Sequence, residues 1–278
     1  TDQGRPYCVV TSAGDGLDAV VLKQRAEDYA QQRCVPADAR FVTTAVDVQK
    51  NRFVVEVHAW GVDKERWVVD RFNIIPSDRV GDGGERLKVS PFSYPEDWHV
   101  LDRLFTDEYK IQGSEATVKS RFIVCDSGGG AGENGASSTA NAYVYALRVK
   151  RLNLGARFAL IKGGSNRKAA RITQGKAEVG KIKVPLWVLN TTTLKDETAT
   201  ALARTEHGAG YIHLPEWVGE WYYKELSAET RTVNGWAKKR KADNNEAFDL
   251  MGYNAAAYSL CGGEKINWRN PPDWAAKP

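Results

Sequence analysis

From Arg40 onward, apolar and polar positions fall into three strand-like runs, RFVTTAVDV, FVVEVHAW and RWVVDRFNII, joined by the short polar segments QKNR and GVDKE. β-Branched and aromatic residues between turn-type connections predict an antiparallel meander. The preceding residues 1–40 are mostly polar. They predict one helix from Gly16 or Leu17 to about Gln32, whose apolar positions Leu17, Val20, Val21 and Leu22 form too short a face to bury alone, so this segment is expected to lie on another surface. Residues 76–97, rich in Gly, Pro, Asp and Ser, predict a loop, and WHVLDRLFTDEY (98–109) carries helical spacing at Val100, Leu101, Leu104 and Phe105. RFIVCD predicts a buried strand ending at Asp126. A glycine loop, SGGGAGENG, then leads to a helix from Ser138 to Arg151. The strand RFALIK, a basic loop, the strand VPLWVLN and a helix from about Thr193 to Arg204 follow. A last helix, NNEAFDLMGYNAAAYSL, is expected to be capped by Asn244, and Pro271 and Pro272 end regular structure.

Three strands followed by alternating helices and strands predict an α/β protein, a mixed sheet covered by helices on both faces. A chain of 278 residues can bury roughly three quarters of its unfolded surface. No Pro/Ser/Gly linker divides it after residue 41, so a single domain over 41–278 with an extension over 1–40 is expected. Hydrophobic residues at 42% and nine Trp exclude a disordered chain. No apolar run approaches the roughly 20 residues of a membrane span and the start has no secretion signal, which predicts a soluble intracellular protein with no membrane partner. Cys8, Cys34, Cys125 and Cys261 lack metal-finger spacing and are expected as buried thiols.

Charge changes the picture once it is located. The net charge is only +4, yet eleven Lys/Arg lie between Arg148 and Lys183 against the single acid Glu178, and a second block, Lys238, Lys239, Arg240 and Lys241, follows Trp236. Concentrated positive charge suits a phosphate backbone, because each neutralised phosphate releases counterions. A solvated Lys/Arg face is the ordinary alternative.

Three carboxylates occupy places where a free charge is costly. Asp47 lies between Val46 and Val48 on a strand expected in the sheet centre, Asp126 ends a buried strand, and Asp249 sits between Phe248 and Leu250. Open α/β sheets bind ligands beyond the carboxyl ends of their strands. Aspartates from two strand ends and a covering helix can converge on hard cations such as Mg²⁺ or Mn²⁺, and two such ions serve phosphodiester hydrolysis. Taken singly, Asp126 is an ordinary turn former, Asp47 an arginine partner, and Asp249 an exposed helix residue. The glycine loop has no GxxxxGK[ST] pattern and is not a P-loop; it either lets backbone or nucleic acid approach Asp126 or is simply flexible.

The segments TTAVDVQKNRFVVEVHAWGVDKERWVVD, VCDSGG, FALIKG, GYIHLP and NNEAFDLMGYNAAAY, in that order over about residues 20–260, resemble the carboxyl-terminal nuclease domain of the large terminase subunit of lambda-like tailed phages. The resemblance implies a ribonuclease H-like fold, preceded at residues 1–40 by the connection from an ATPase domain, so that this chain is the nuclease half. It also implies a metal-dependent endonuclease that cuts concatemeric double-stranded DNA during packaging. The family's three aspartates fall on Asp47, Asp126 and Asp249, with Phe248 replacing the more usual Leu of the last motif. Two ions, Mg²⁺ or Mn²⁺, are implied as cofactors. Double-stranded DNA, a small terminase subunit and, through the full-length protein, the portal and procapsid are implied as partners, in the host cell cytoplasm.

Around this core, Glu246 and Glu56 are candidate further ligands, and His213 is a candidate for positioning water. Lys162, Arg167, Lys168, Arg171, Lys238, Lys239 and Arg240 are candidate DNA contacts. The alternatives are another ribonuclease H-like nuclease of resolvase or integrase type, or a DNA-binding module of the packaging motor without catalysis.

Overall fold

The computed structural model describes residues 17–132, 136–179 and 181–277. In chain order the helices are α1 (Ala19–Gln24), α2 (Ser138–Arg151), α3 (Thr191–Leu202), α4 (Glu220–Leu226) and α5 (Glu246–Leu260). The strands begin with β1 (Ala26–Glu27), β2 (Cys34–Val35), β3 (Phe41–Gln49), β4 (Arg52–Trp60), β5 (Arg66–Ile74), β6 (Pro76–Val80), β7 (Arg86–Lys88), β8 (Glu108–Ile111) and β9 (Thr117–Asp126). They continue with β10 (Phe158–Gly163), β11 (Ile172–Gln174), β12 (Glu178–Val179), β13 (Ile182–Lys183), β14 (Leu186–Leu189), β15 (Ile212–Pro215), β16 (Glu229–Thr232) and β17 (Gly235–Lys238). The main sheet runs β1-β15-β5-β4-β3-β9-β10-β14-β11, with β8 on β9 and β2 on β8. The β3-β4-β5 meander is antiparallel as expected, whereas the pairs β3–β9, β9–β10, β10–β14 and β5–β15 are parallel, and β8 and β11 add antiparallel to β9 and β14. This is the mixed, helix-flanked sheet of a ribonuclease H-like fold.

Alternation along β3 sorts the two layers. Val42, Val46 and Val48 pack in one cluster with Ala142, Tyr145 and Val149 of α2 and with Trp98 and Leu101. Ala45 packs on the other face with Leu194 of α3 and Leu250, Ala256 and Ala257 of α5. Asp47 shares the parity of Ala45 and so faces α5. Ten of the fifteen residues of α5 are buried, all round its circumference, so the helix is a core element rather than a surface one. Thr43 donates to Asn254 of α5 at 2.8 Å, fixing helix to strand inside the apolar layer.

Several local expectations give way to tertiary pairing. The helix expected to reach Gln32 stops at Gln24, because residues 26–27 pair as an edge strand with β15. Asp18 caps it by accepting from Val20 and Val21. The described part of the expected extension, residues 17–40, is docked onto the domain: Leu22 packs against Tyr222 and Leu226 of α4, and β2 pairs with β8. Residues 76–97 are not an open loop. β6 and β7 pair, and the buried Asp97 accepts from Arg79 at 2.7 and 2.9 Å and from the Ser90 N–H at 2.6 Å. The helix expected over 98–109 is a run of 3-10 turns over Pro95–Phe105, since residues 108–111 are drawn into the sheet beside β9. Cys125 is buried as expected but Cys34 and Cys261 are half-buried, and Cys8 lies outside the described residues. No helix among the described residues is long and apolar enough to cross a membrane.

Candidate active site

Asp47 and Asp126 are brought together by strand register. β3 and β9 are parallel with Val46 opposite Cys125, so the next residues, Asp47 and Asp126, lie level at the carboxyl ends of adjacent central strands. Asp47 is buried, and its side chain accepts from Gln49. Asp126 is half-buried and accepts from the Gly128 N–H at 3.0 Å. A Cβ on Gly128 would sit 3.3 Å from both Asp126 carboxylate oxygens, so this glycine allows the loop to fold back closely over the carboxylate.

Asp249 comes from the first turn of α5, which covers this face. Burial, then the Asp249 charge, raises the Asp47 carboxyl from 3.8 to about 6. Burial, then the Asp47 charge, raises Asp126 from 3.8 to about 7, with Asp249 adding to it. The three carboxylates therefore share one electrostatic environment. Among the described residues neither Asp47 nor Asp126 has a salt bridge, so the two adjacent buried carboxylates are unfavourable together unless a proton or a bound cation relieves them.

Asp249 is partnered differently. Lys195 of α3 places its ammonium 2.7 Å from Asp249 Oδ1 and 2.6 Å from Glu229 Oε2, and Asn245 donates to Asp249 Oδ2 at 2.8 Å and to Glu229. Burial alone would lower the lysine, but Asp249 and Glu229 outweigh it and hold it charged; burial raises Asp249 against the pull of Lys195. The expected helix cap falls one residue later than Asn244. Asn245 occupies it without a side-chain capping bond, because its amide is turned to these two carboxylates.

Glu246 is buried beside the site. Arg52 donates to its Oε1 at 2.8 Å, its Oε2 has no partner among the described residues, and its charge acts on Asp47. Glu56 shares the α5 face but lies opposite Ala45, two residues back, where it contacts His58 at 2.8 Å and Arg71 at 3.8 Å. It does not join the aspartates. His213 is also elsewhere. Asp47 is level with Val54 and through it with Asn73 of β5, whereas His213 is opposite Trp67, six residues earlier and about 20 Å back along the strand. Chain order put the HLP segment in the motif series, but parallel pairing with β5 seats it at the other end of the sheet.

The basic candidates divide as well. Arg167 donates to the Val233 carbonyl at 3.2 Å, and Gly235 lies against Arg167 and Thr192, so the loop after β10 and the β16-β17 hairpin meet although about 65 residues separate them. Lys168 is exposed beside Arg167, and Lys238 is exposed at the open end of the hairpin opposite Glu229, where its charge lowers Asp249. Lys162 is exposed one residue past the level of Asp126, with the parity of the opposite face. Arg171 is committed to Glu197 at 2.8 Å and Glu264 at 3.2 Å, Arg240 to Asp243, and Lys239 to the Leu17 carbonyl. Arg148 pairs with Asp102 at 2.6 Å beneath the other face, so the basic segment from 148 to 183 is not one continuous track.

Sequence reasoning missed Lys195, Glu229 and Tyr253. The first two sit in polar stretches with no chemical spacing, and only the docking of α3 and the hairpin against α5 joins them. Tyr253, one turn after Asp249, was within reach of helical spacing; burial and the charges of Asp126, Asp249 and Asp47 push its phenol well above its ordinary range.

The family model describing the endonuclease domain of terminase large subunit gpA matches residues 1–268. No curated protein and no solved structure matches the chain.

Proposed function

The chain belongs to the family of terminase large subunit gpA endonuclease domains, and on that premise we propose that Asp47, Asp126 and Asp249, with Glu246 beside them, hold two Mg²⁺ or Mn²⁺ ions for hydrolysis of double-stranded DNA. The family makes the domain a nuclease of DNA packaging with DNA as its substrate. What carries the metal reading is the level, cation-free pair Asp47 and Asp126 at the end of the central strands. Their donor set is all carboxylate oxygen, which suits hard cations.

When bound, such ions activate water and stabilise the leaving oxygen of a phosphodiester. The chain's own residues prepare for this. Asp47 and Asp126 are fixed by strand register rather than by flexible loops, so their spacing is set before substrate arrives. Lys195 and Asn245 orient Asp249 through both oxygens, and the free oxygen of Glu246 is a further donor. Gly128 keeps the loop from filling the approach to Asp126. Concatemeric phage DNA as the form cut, a small terminase subunit and the portal as partners, and the host cytoplasm as location are part of the same proposal. So is the origin of residues 1–40 as the connection from an ATPase domain to a nuclease domain over 41–278.

Supercoiled plasmid is expected to be nicked and linearised by the chain with Mn²⁺ or Mg²⁺ and left intact with EDTA. Equal cutting with EDTA would remove the metal reading and leave the family assignment standing. A binding module without catalysis would leave plasmid intact under every condition.

DNA is proposed to run from Arg167 and Lys168, where the loop after β10 meets the hairpin tip, along the hairpin to Lys238, rather than over the whole stretch from 148 to 183. Changing these three to Ala should weaken binding to a random duplex and flatten its dependence on log salt by about one unit for each phosphate no longer neutralised. The triple change Arg148, Lys150 and Arg151 to Ala, beneath the other face, should leave the slope unchanged. Filter binding over a salt series measures both, and equal slopes for the two triple variants would place the DNA elsewhere.

A further inference from the structure

A second cluster of metal-ligating side chains lies far from the aspartates. Glu27 at the end of β1, His207 in the turn after α3 and His213 on β15 each offer one ligand atom, all within 4.8 Å of one another. His213 Nδ1 is 2.7 Å from Glu27 Oε2, and His207 Nε2 is 3.5 Å from Glu27 Oε1. Behind them stands a supporting shell. His213 Nε2 faces Glu65 Oε1 at 3.0 Å, and the Gly208 N–H donates to the same oxygen at 3.0 Å. The Tyr211 hydroxyl donates to Glu27 Oε1 at 3.0 Å, and the His213 ring is stacked on Trp67 with centroids 4.7 Å apart.

If Nε2–H of His213 donates to Glu65, Nδ1 carries a lone pair aimed at a carboxylate oxygen 2.7 Å away. Two lone pairs at that distance repel, and a shared proton or an ion seated beside both atoms relieves the repulsion. A histidine whose remote N–H is held by a carboxylate while its other nitrogen faces ligands is the arrangement that orients metal-binding imidazoles. Two imidazole nitrogens and one carboxylate suit borderline ions of the Zn²⁺ class, whereas Mg²⁺ prefers all-oxygen sets. The His207 side chain is 62% exposed, so the cluster opens to solvent on one side.

We propose that Glu27, His207 and His213, oriented by Glu65 and Tyr211, form a binding site for one Zn²⁺-class transition-metal ion. The ion ties the edge strand β1 and the turn bearing His207 to β15, and so fastens the amino-terminal segment to the sheet. The site is independent of the proposed nuclease centre, from which it differs in donor chemistry and in the end of the sheet it occupies.

The test is calorimetric titration of Zn²⁺ alone into chelator-treated chain, in excess Mg²⁺ to occupy the all-oxygen site, with melting curves alongside. One equivalent is expected to bind, and Zn²⁺ should raise the melting temperature of both wild type and Asp126→Asn. His207→Ala, an exposed position that leaves the fold alone, should abolish the equivalent and the rise, and Glu65→Gln should weaken binding about 10- to 100-fold. Co²⁺ should give visible absorption of four- or five-coordinate type in wild type and lose it in His207→Ala. Unchanged Zn²⁺ binding in His207→Ala, or loss of the equivalent only when aspartates are replaced, overturns the proposal and leaves His213 as a hydrogen-bonded residue between two carboxylates.

Discussion

Asp126→Asn is expected to lower plasmid cleavage with Mg²⁺ or Mn²⁺ by a thousandfold or more while raising the melting temperature of the metal-free protein. The first effect follows from losing a carboxylate that fixes a cation at the phosphodiester, because several kcal/mol of charge stabilisation corresponds to roughly three or more powers of ten in rate. The second follows from the raised carboxyls. Asp126 titrates near pH 7 and Asp47 near 6 in the fold, against an ordinary 3.8. Between about pH 4 and 7 the folded protein therefore holds protons that the unfolded chain has released, and its metal-free stability falls as pH rises through that window. Asn removes the buried charge and with it the repulsion, so at pH 8 Asp126→Asn should gain about 1–3 kcal/mol over wild type in EDTA, and the gain should vanish near pH 4. Thermal melts at both pH values and a plasmid assay measure the pair of effects. Full cleavage by a folded variant would exclude Asp126 from catalysis, and a loss of metal-free stability would make it a structural residue instead.

Lys195→Ala should be the costliest single change to stability near the site. The Lys195 side chain is 12% exposed and pairs with both Glu229 and Asp249, so its removal leaves two largely buried carboxylates without the cation they share. Breaking a buried ion pair from one side costs about 3–5 kcal/mol, a melting-temperature drop on the order of 10 °C for a chain of this size. Urea denaturation should show the midpoint fall, with Lys195→Arg recovering part of the loss because charge is retained. Mn²⁺ should restore more stability to Lys195→Ala than to wild type, because it offers Asp249 a replacement cation. An unchanged midpoint would mean that these carboxylates are solvated well enough for the ion pair to add nothing.

The distance between sequence and structure can be measured on particular residues. Asp47 and Asp126 could be singled out because a carboxylate flanked by valines, or ending RFIVCD, stands out in an apolar run. Their expected places near strand ends suggested a shared site, and the register of β3 with β9 made them neighbours. Residues 26–27 and 108–109 carry a helical pattern, yet the sheet claims them: residues 26–27 pair with β15, remote in the chain, and residues 108–110 pair with the next strand, β9. Arg171 looked like a free cation within a basic stretch, yet Glu197 and Glu264 reach it from helix and turn far along the chain. No local spacing carries that information.

By itself, the sequence determined the layer architecture and the central meander, which are written in local periodicity, and singled out three aspartates by the cost of placing charge among apolar neighbours; the five motif segments entered through the family resemblance. The tertiary structure alone decided which cations and carboxylates face one another. It seated Lys195 and Glu229 against Asp249, moved His213 to the opposite end of the sheet beside Glu27 and His207, and brought the loop after β10 against the β16-β17 hairpin. Those pairings depend on strand order and helix docking, which couple residues tens to hundreds of positions apart. Charge interactions reach only across a few ångströms of space and leave no periodic trace along the chain.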